Sequence, residues 1–452
     1  MTSYGTETDS DPVSEENSIF SENNSLLYFS KYWQAESRLL SLLQKRIKMN
    51  PHVPESSLVE KALETVLVEH PVRFGEETLR LADEQKAAVL RSISSPLLIV
   101  TGGPGTGKTS ITITLLRVLK RLGLAERPAL AAPTGRAAKR MSEAVVNSLN
   151  SLVNLKELPL EQKLLEDAAE AKTLHRLLAY RPGTHSFKHH EFDPLEHDLL
   201  IVDEGSMIDQ EMMSSLLRAA NSELPHQQSV PRIILLGDAQ QLPSVGNGAV
   251  LLELTKNSST PGTADIEENQ LHVVRLRRSY RQEIGDAAGR NILGVAETVK
   301  AMEDDPRPEL LFAAREPNHE IIRRLKSLEE VGQEKVFLLN QANTPDQLLS
   351  FASWWVENYL NDEKFIFETQ QNFHYDAPES CAAQLEYLFD YLKHFRILSA
   401  TQVLPSGAAA VNQKISECWL TKNGVKDSFS EHYPGKPVMV TENNYRLQLF
   451  NG

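Results

Sequence analysis

Apolar positions along this chain follow two rhythms. From Leu39 to His70 they recur at helical spacing, as in Leu39, Leu42, Leu43 and Ile47, and predict helices. Past Pro96 short continuous apolar runs take over: Leu97–Thr101, Ala129–Ala132, Leu199–Val202 and Ile233–Leu236. Helical patterns separate them. In Lys108–Leu122, residues Ile111, Leu115, Val118, Leu119 and Leu122 share one face, and Gly123 supplies the stop. Runs that are apolar throughout suit strands buried on both faces. Their alternation with helices predicts an α/β fold, a parallel sheet covered on both sides. A less regular section begins near Leu271, with strand candidates Val273–Leu276, Val336–Leu339, Phe395–Leu398 and Val438–Val440. No internal repeat is present.

The polar pattern sets the outer boundaries. Residues 1–30 are rich in Ser, Asn, Asp and Glu, with no Lys or Arg before Lys31, and read as a disordered acidic tail. The remainder divides into a helical N-terminal region over 31–75, a first α/β domain over 76–268 and a second over 269–452. Composition then narrows the class. A net charge of −14 over 452 residues argues against coating nucleic acid by bulk attraction and leaves room only for local basic patches. No apolar run reaches the roughly 18 residues of a membrane span. The acidic N-terminus is the opposite of a secretory signal. Two cysteines, Cys381 and Cys418, make neither a disulfide framework nor a metal cluster. The expectation is a cytoplasmic protein without a membrane partner.

Chemistry enters at the strand ends. Gly102-Gly103-Pro104-Gly105-Thr106-Gly107-Lys108-Thr109, followed by Ser110, fits G-x-x-x-x-G-K-[ST] between a strand and a helix. The glycines let backbone N–H groups curl round phosphates, the helix dipole and Lys108 favour their charge, and Thr109 can hold Mg²⁺. ATP with Mg²⁺ is the expected cofactor pair. Leu199–Val202 runs into Asp203 and Glu204, a metal carboxylate and a candidate base for orienting water. His185, His189, His190 and His197 lack nearby cysteines, and a polar loop accounts for them better than zinc.

Further stretches specify the class: Asp83-Glu84-Gln85, Ala131–Arg140 around Pro133-Thr134-Gly135-Arg136, Gly237–Ser244, and Leu276-Arg277-Arg278-Ser279-Tyr280-Arg281-Gln282. In this order they resemble the motif set of superfamily 1 helicases. More narrowly, Thr173–Leu178, Pro182-Gly183 and Asp193-Pro194-Leu195 look like RecD, the alpha-subunit family of the RecBCD exodeoxyribonuclease. The resemblance implies a P-loop NTPase with tandem RecA-like domains. It also implies ATP-driven 5′-to-3′ DNA unwinding at double-strand breaks, with single-stranded and duplex-end DNA and the RecB and RecC subunits as partners.

The resemblance carries roles onto individual positions. Gln85 matches the residue reading adenine and Tyr280 the one stacking on it. Lys108, Thr109, Asp203 and Glu204 match the phosphate lysine, magnesium hydroxyl, metal carboxylate and catalytic base. Gln241 matches the γ-phosphate sensor. Arg281 matches an arginine finger, with a surface ion pair as the alternative. Thr134, Gly135 and Arg136 match a loop touching single-stranded DNA, where Lys139 and Arg140 either add charge or merely solvate a helix face. His175 is either a DNA contact or a packing histidine.

Two departures qualify this. Gly205 stands where the family has alanine after the acidic pair. After Arg281 the chain lacks the family's Asp-x-Gly, Ser-Gln-Gly and Thr-Arg motifs, so the second domain is expected to be incomplete beyond the closing Asn451-Gly452. The expectation is nucleotide binding better kept than hydrolysis. Two alternatives remain: a truncated, non-translocating nucleotide- and partner-binding module, or a stand-alone RecD-like helicase. Asp362-Glu363-Lys364 gives no nuclease site, and in the family that chemistry belongs to the beta subunit.

Overall fold

The computed structural model describes residues 20–23, 26–74, 77–167, 170–221, 230–256 and 272–278, together with parts of the region from 289 to 439. The chain divides after Arg281 into two units.

The first unit is built on a six-stranded sheet. Its strands are β1 (Leu97–Gly102), β2 (Pro128–Ala132), β3 (Lys172–Thr173), β4 (Leu199–Val202), β5 (Arg232–Gly237) and β6 (His272–Leu276), in the order β6-β1-β5-β4-β2-β3. Every pairing is parallel, as in Ile99 opposite Leu235 and Val273, and Leu199 opposite Arg232 and Pro128. This is the predicted α/β arrangement. Side chains of a strand alternate between faces, and the two cores follow that alternation. Leu98, Val100, Leu130, Ala132, Ile201, Ile234 and Leu236 enter one core. Leu97, Ile99, Ala131, Leu200, Val202, Ile233 and Leu235 enter the other.

Helices α3 (Asp83–Ser94), α4 (Lys108–Arg121) and α5 (Gly135–Asn150) supply buried residues to the first core, including Val89, Leu115 and Val145. The second is filled by α1 (Ser30–Ile47) through Leu39 and Leu43, and by α6 (Gln210–Ala220) through Met213, Leu216 and Leu217. The N-terminal helices therefore pack onto the two faces of this sheet. The fully buried Arg46 fixes α1 under the sheet by donating to Pro96 O (2.8 Å), Ala220 O (3.1 Å) and Pro231 O. On the opposite face α2 (Ser56–Glu64) continues into a π-helical turn, and Arg117 of α4 donates to Val66 O (3.2 Å) and His70 O (2.8 Å).

Two other boundaries shift. Phe20–Asn23 and Leu26–Phe29 pair as an antiparallel hairpin within the stretch expected to be a mobile tail. The predicted strand at Val273–Leu276 exists, but as β6 beside β1, so the chain returns to the first sheet after residue 269. Local pattern identifies such a strand; which sheet it joins depends on a parallel partner far away in sequence, as with His272 opposite Leu98.

In the second unit, Ile322–Leu325 and Val336–Leu339 pair in parallel. Four helices are described, Pro345–Tyr359, Glu363–Thr369, Pro378–Lys393 and Ala408–Lys422, the first and last sharing a small core of Val356, Trp419 and Leu420. The predicted strand Phe395–Leu398 is irregular chain. Its first residue is taken by rings instead, lying 5.4 Å from both Tyr359 and Tyr391. Val438 and Met439 are also irregular, and Val440 through Gly452 lie outside the described residues. Asp362 accepts from Phe365 N (2.8 Å) as a helix cap, and Lys364 sits 4.1 Å over the Tyr387 ring. Both therefore have structural employment.

Candidate nucleotide site

The loop between β1 and α4 turns on two left-handed glycines, Gly105 (φ +79°) and Gly107 (φ +81°), where an L side chain would be strained. The second is the N-cap of α4, whose first turn leaves backbone N–H groups without intrahelical partners, the kind of end that attracts anions. Lys108 reaches back from the helix and donates to Gly102 O (2.6 Å) and Gly103 O (3.2 Å). Thr106 Oγ1 donates to Gly103 O (2.9 Å) and tightens the same turn. Pro104 and Thr109 are exposed at the loop, and Ser110 is half-buried one residue further into α4.

Gln85 touches this loop. It is buried, its Nε2 donates to Thr106 O (3.1 Å), and its Oε1 accepts from Ala82 N (2.9 Å). One side chain thus caps α3 and braces the phosphate turn. That employment leaves one Nε2–H and one Oε1 lone pair of Gln85 uncommitted by these two contacts.

The carboxylates come from the end of β4. Asp203 Oδ1 accepts from Glu204 N (2.8 Å), and burial pushes the Asp203 carboxyl above its ordinary range against the pull of that N–H and of Lys108. Glu204 sits in the left-handed region (φ +53°), a costly conformation for this residue. Its carboxyl is also raised, by burial first and then by Asp203, with Asp238 adding to the repulsion; Lys108 and Arg140 oppose it. Two repelling, partly desolvated carboxylates beside one lysine form a site short of positive charge. A carboxylate and a hydroxyl, as at Asp203 and Thr109, are oxygen donors of the kind a Mg²⁺ ion takes.

Gly205 receives its explanation here. A Cβ on it would lie 3.1 Å from Leu236 O, and one on Gly237 would lie 3.0 Å from Gly205 N. The ends of β4 and β5 approach through paired glycines, which keeps the acidic turn against the turn after β5. In that second turn Gln241 is exposed, with its N donating to Asp238 O (3.1 Å), and Ala239 N donates to the buried Thr101 Oγ1 (3.0 Å) at the end of β1.

Three of these residues extend the predicted site. Arg140, left open as a helix-face cation, acts electrostatically on Glu204. Asp238 lies within a quoted motif but carried no role. Thr101 gave a signal only in hindsight, as the one hydroxyl in the β1 run.

The remaining predicted residues divide. Thr134 accepts from Ala137 N (3.2 Å) as the cap of α5, with Gly135 and Arg136 exposed in its first turn. Lys139 pairs with Glu143 (3.9 Å) on the solvated face. His175 is exposed, and its ring meets Tyr180 edge-on (5.4 Å) and Phe187 at a tilt (5.8 Å) in a surface cluster. Tyr280 and Arg281 lie outside the described residues. The four histidines have separate local partners: His185 meets Tyr180 Oη, His189 and His190 meet the 190–193 turn, and His197 meets Arg127 O. Among the described residues, no helix is long and apolar enough to cross a membrane.

The same span is matched by a known family, the AAA domain, over residues 85–247. The RecBCD enzyme subunit RecD of Mycolicibacterium smegmatis is 30% identical over 436 residues, covering 94% of this chain and 63% of that protein. The RecD subunit of Haemophilus influenzae is 29% identical, covering 94% and 64%. The ATP-dependent RecD2 DNA helicase of Deinococcus radiodurans is 33% identical over 202 residues, 45% of this chain and 22% of that helicase. The chain thus spans less than two thirds of the curated RecD relatives it matches.

Proposed function

We infer that this chain, RecD-like along 94% of its length, is the ATP-hydrolysing DNA helicase subunit of a RecBCD-type helicase–nuclease, acting at double-strand-break ends with RecB- and RecC-like partners. The observation that carries this reading is the conjunction, at the carboxyl ends of the adjacent strands β1, β5 and β4, of the phosphate loop, the Asp203–Glu204 pair and the Asp238–Gln241 turn. A RecD subunit is favoured over a stand-alone helicase because the RecD likeness runs through both units, whereas the RecD2 likeness covers less than half of the chain.

In the proposed reaction the loop N–H groups and Lys108 bind the ATP phosphates, Lys108 exchanging its contacts with Gly102 O and Gly103 O for phosphate oxygens. Gln85 transmits base occupancy to the loop through Thr106, and Tyr280 stacks on the base. Mg²⁺, held by Thr109 and Asp203, would withdraw charge from the phosphates and relieve the carboxylate repulsion. Glu204, ionised beside Lys108 and Arg140, orients the attacking water and accepts its proton. Gln241 senses the γ-phosphate, and Arg281 adds positive charge to the transferring group. Thr134, Gly135, Arg136 and His175 contact single-stranded DNA, translocated 5′ to 3′.

The test is ATP turnover by the purified chain with and without single-stranded DNA. DNA should stimulate turnover, and Glu204→Gln should lower it by about 10² or more while leaving nucleotide binding intact. Equal rates with and without DNA would remove the helicase reading.

A further inference from the structure

The turn after β5 holds a carboxylate to which the proposed reaction gives no role. In the sheet, β5 lies between β1, which runs into the phosphate loop, and β4, which runs into Asp203 and Glu204. The two flanking strands stand two strand spacings apart, roughly 10 Å. A group that spans from the phosphate loop to Asp203 therefore passes over the end of β5. The first residue beyond that end is Asp238.

Asp238 is half-buried, and its position is fixed from both sides. Its Oδ1 accepts from Gln240 N (3.1 Å) and its carbonyl from Gln241 N (3.1 Å). The next residue, Ala239, donates its N–H to Thr101 Oγ1 near the end of β1 (3.0 Å). On the β4 side, Gly237 packs against the acidic turn, where a Cβ on it would lie 3.0 Å from Gly205 N. Oδ2 carries none of these bonds. It lies on the side of the phosphate loop, 4.0 Å from where a Cβ on Gly103 would stand. Lys108 acts on both Asp203 and Glu204, and Arg140 on Glu204. Asp238, by contrast, has no ion pair among the described residues.

A carboxylate held bare beside a phosphate loop repels phosphates unless a cation stands between them. Mg²⁺ dehydrates reluctantly and keeps several waters when one or two protein oxygens bind it. A carboxylate beneath the span from Thr109 to Asp203 is placed to accept from such a water. Resting on the nucleotide reading above, we propose that Asp238 is a positioning residue that receives a water of the Mg²⁺ accompanying ATP, and so makes this site select metal-bound over metal-free nucleotide. The selection has two parts. Without the metal, the Asp238 charge opposes the phosphates; with it, the same charge holds the hydrated ion against them.

Isothermal titration of the whole chain with ATP, once in Mg²⁺ and once in EDTA, tests this without reading turnover. The unsubstituted chain should bind ATP more tightly in Mg²⁺. Asp238→Asn keeps the shape and the acceptor for Gln240 N but removes the charge. In that variant binding in EDTA should tighten and binding in Mg²⁺ should weaken, so that the ratio of the two affinities shrinks about tenfold or more. A merely structural role would weaken both by one factor and leave the ratio unchanged, which would overturn the proposal. Asp238→Ala removes the acceptor for Gln240 N as well and should shrink the ratio to a similar degree. A change confined to Asp238→Ala would assign the effect to the turn and also overturn the proposal. Failure of the nucleotide reading itself looks different: the unsubstituted chain would bind no ATP in either condition, and both conclusions would fall.

Discussion

At the scale of single residues, the site is held together by side chains that each serve two elements. Thr101 is the penultimate residue of β1, directly before the phosphate loop's first glycine, and its hydroxyl accepts from Ala239 N in the turn that carries Gln241. Thr101→Val keeps the shape but leaves a buried N–H without a partner, at about 1–3 kcal/mol. A denaturant melt should show that loss, and DNA stimulation of turnover should fall more than the basal rate; Thr101→Ser should restore both. Glu204 makes the second case. Its pKa is raised, by burial first, yet a base must be ionised, so turnover should fall as pH drops through a value above the ordinary glutamate range. Arg140 favours the ionised form, so Arg140→Ala should move that acidic limb to higher pH. A limb unmoved by the substitution would show that the base is a different group.

At the scale of elements, the buried strands were legible because strands covered on both faces must be apolar throughout, and Leu97–Gly102, Leu199–Val202 and Arg232–Gly237 are nearly so. The phosphate loop was legible because its glycines and lysine are contiguous. What escaped has physical reasons. β3 is two residues long, Lys172 and Thr173, too short for any periodicity. Phe395–Leu398 has a strand-like composition, yet aromatic packing against Tyr359 and Tyr391 consumes Phe395. Arg46 breaks the ordinary expectation that arginine marks a solvated face. Its charge is buried and its pKa pulled down to about 9, by burial first and then by Arg232. Its donors are committed to carbonyls at the entries to β1 and β5 and at the end of α6. Arg46→Ala orphans those carbonyls and should lower unfolding free energy by about 3 kcal/mol, measurable by urea titration. A loss below about 0.5 kcal/mol would mean that α1 is held by its leucines alone.

At the scale of the whole molecule, one parallel sheet brings its distant loops together at the carboxyl ends of three adjacent strands, β1, β5 and β4. Those strand ends gather glycines, a lysine and raised carboxylates, and the β4–β5 junction closes through Gly205 and Gly237. The N-terminal helices, anchored by Arg46 and through Arg117 to α4, tie the chain's start to the helix that carries Lys108. The account stands on these strand ends being an ATP site. The most direct measurement is equilibrium binding of ATP with Mg²⁺ to the purified chain and to Lys108→Ala. The structure predicts saturable binding with affinity about tenfold or more weaker in the variant, since the charge and donors of Lys108 are then missing from the phosphates. Equal affinity in the two proteins, or no binding by the unsubstituted chain, would contradict it.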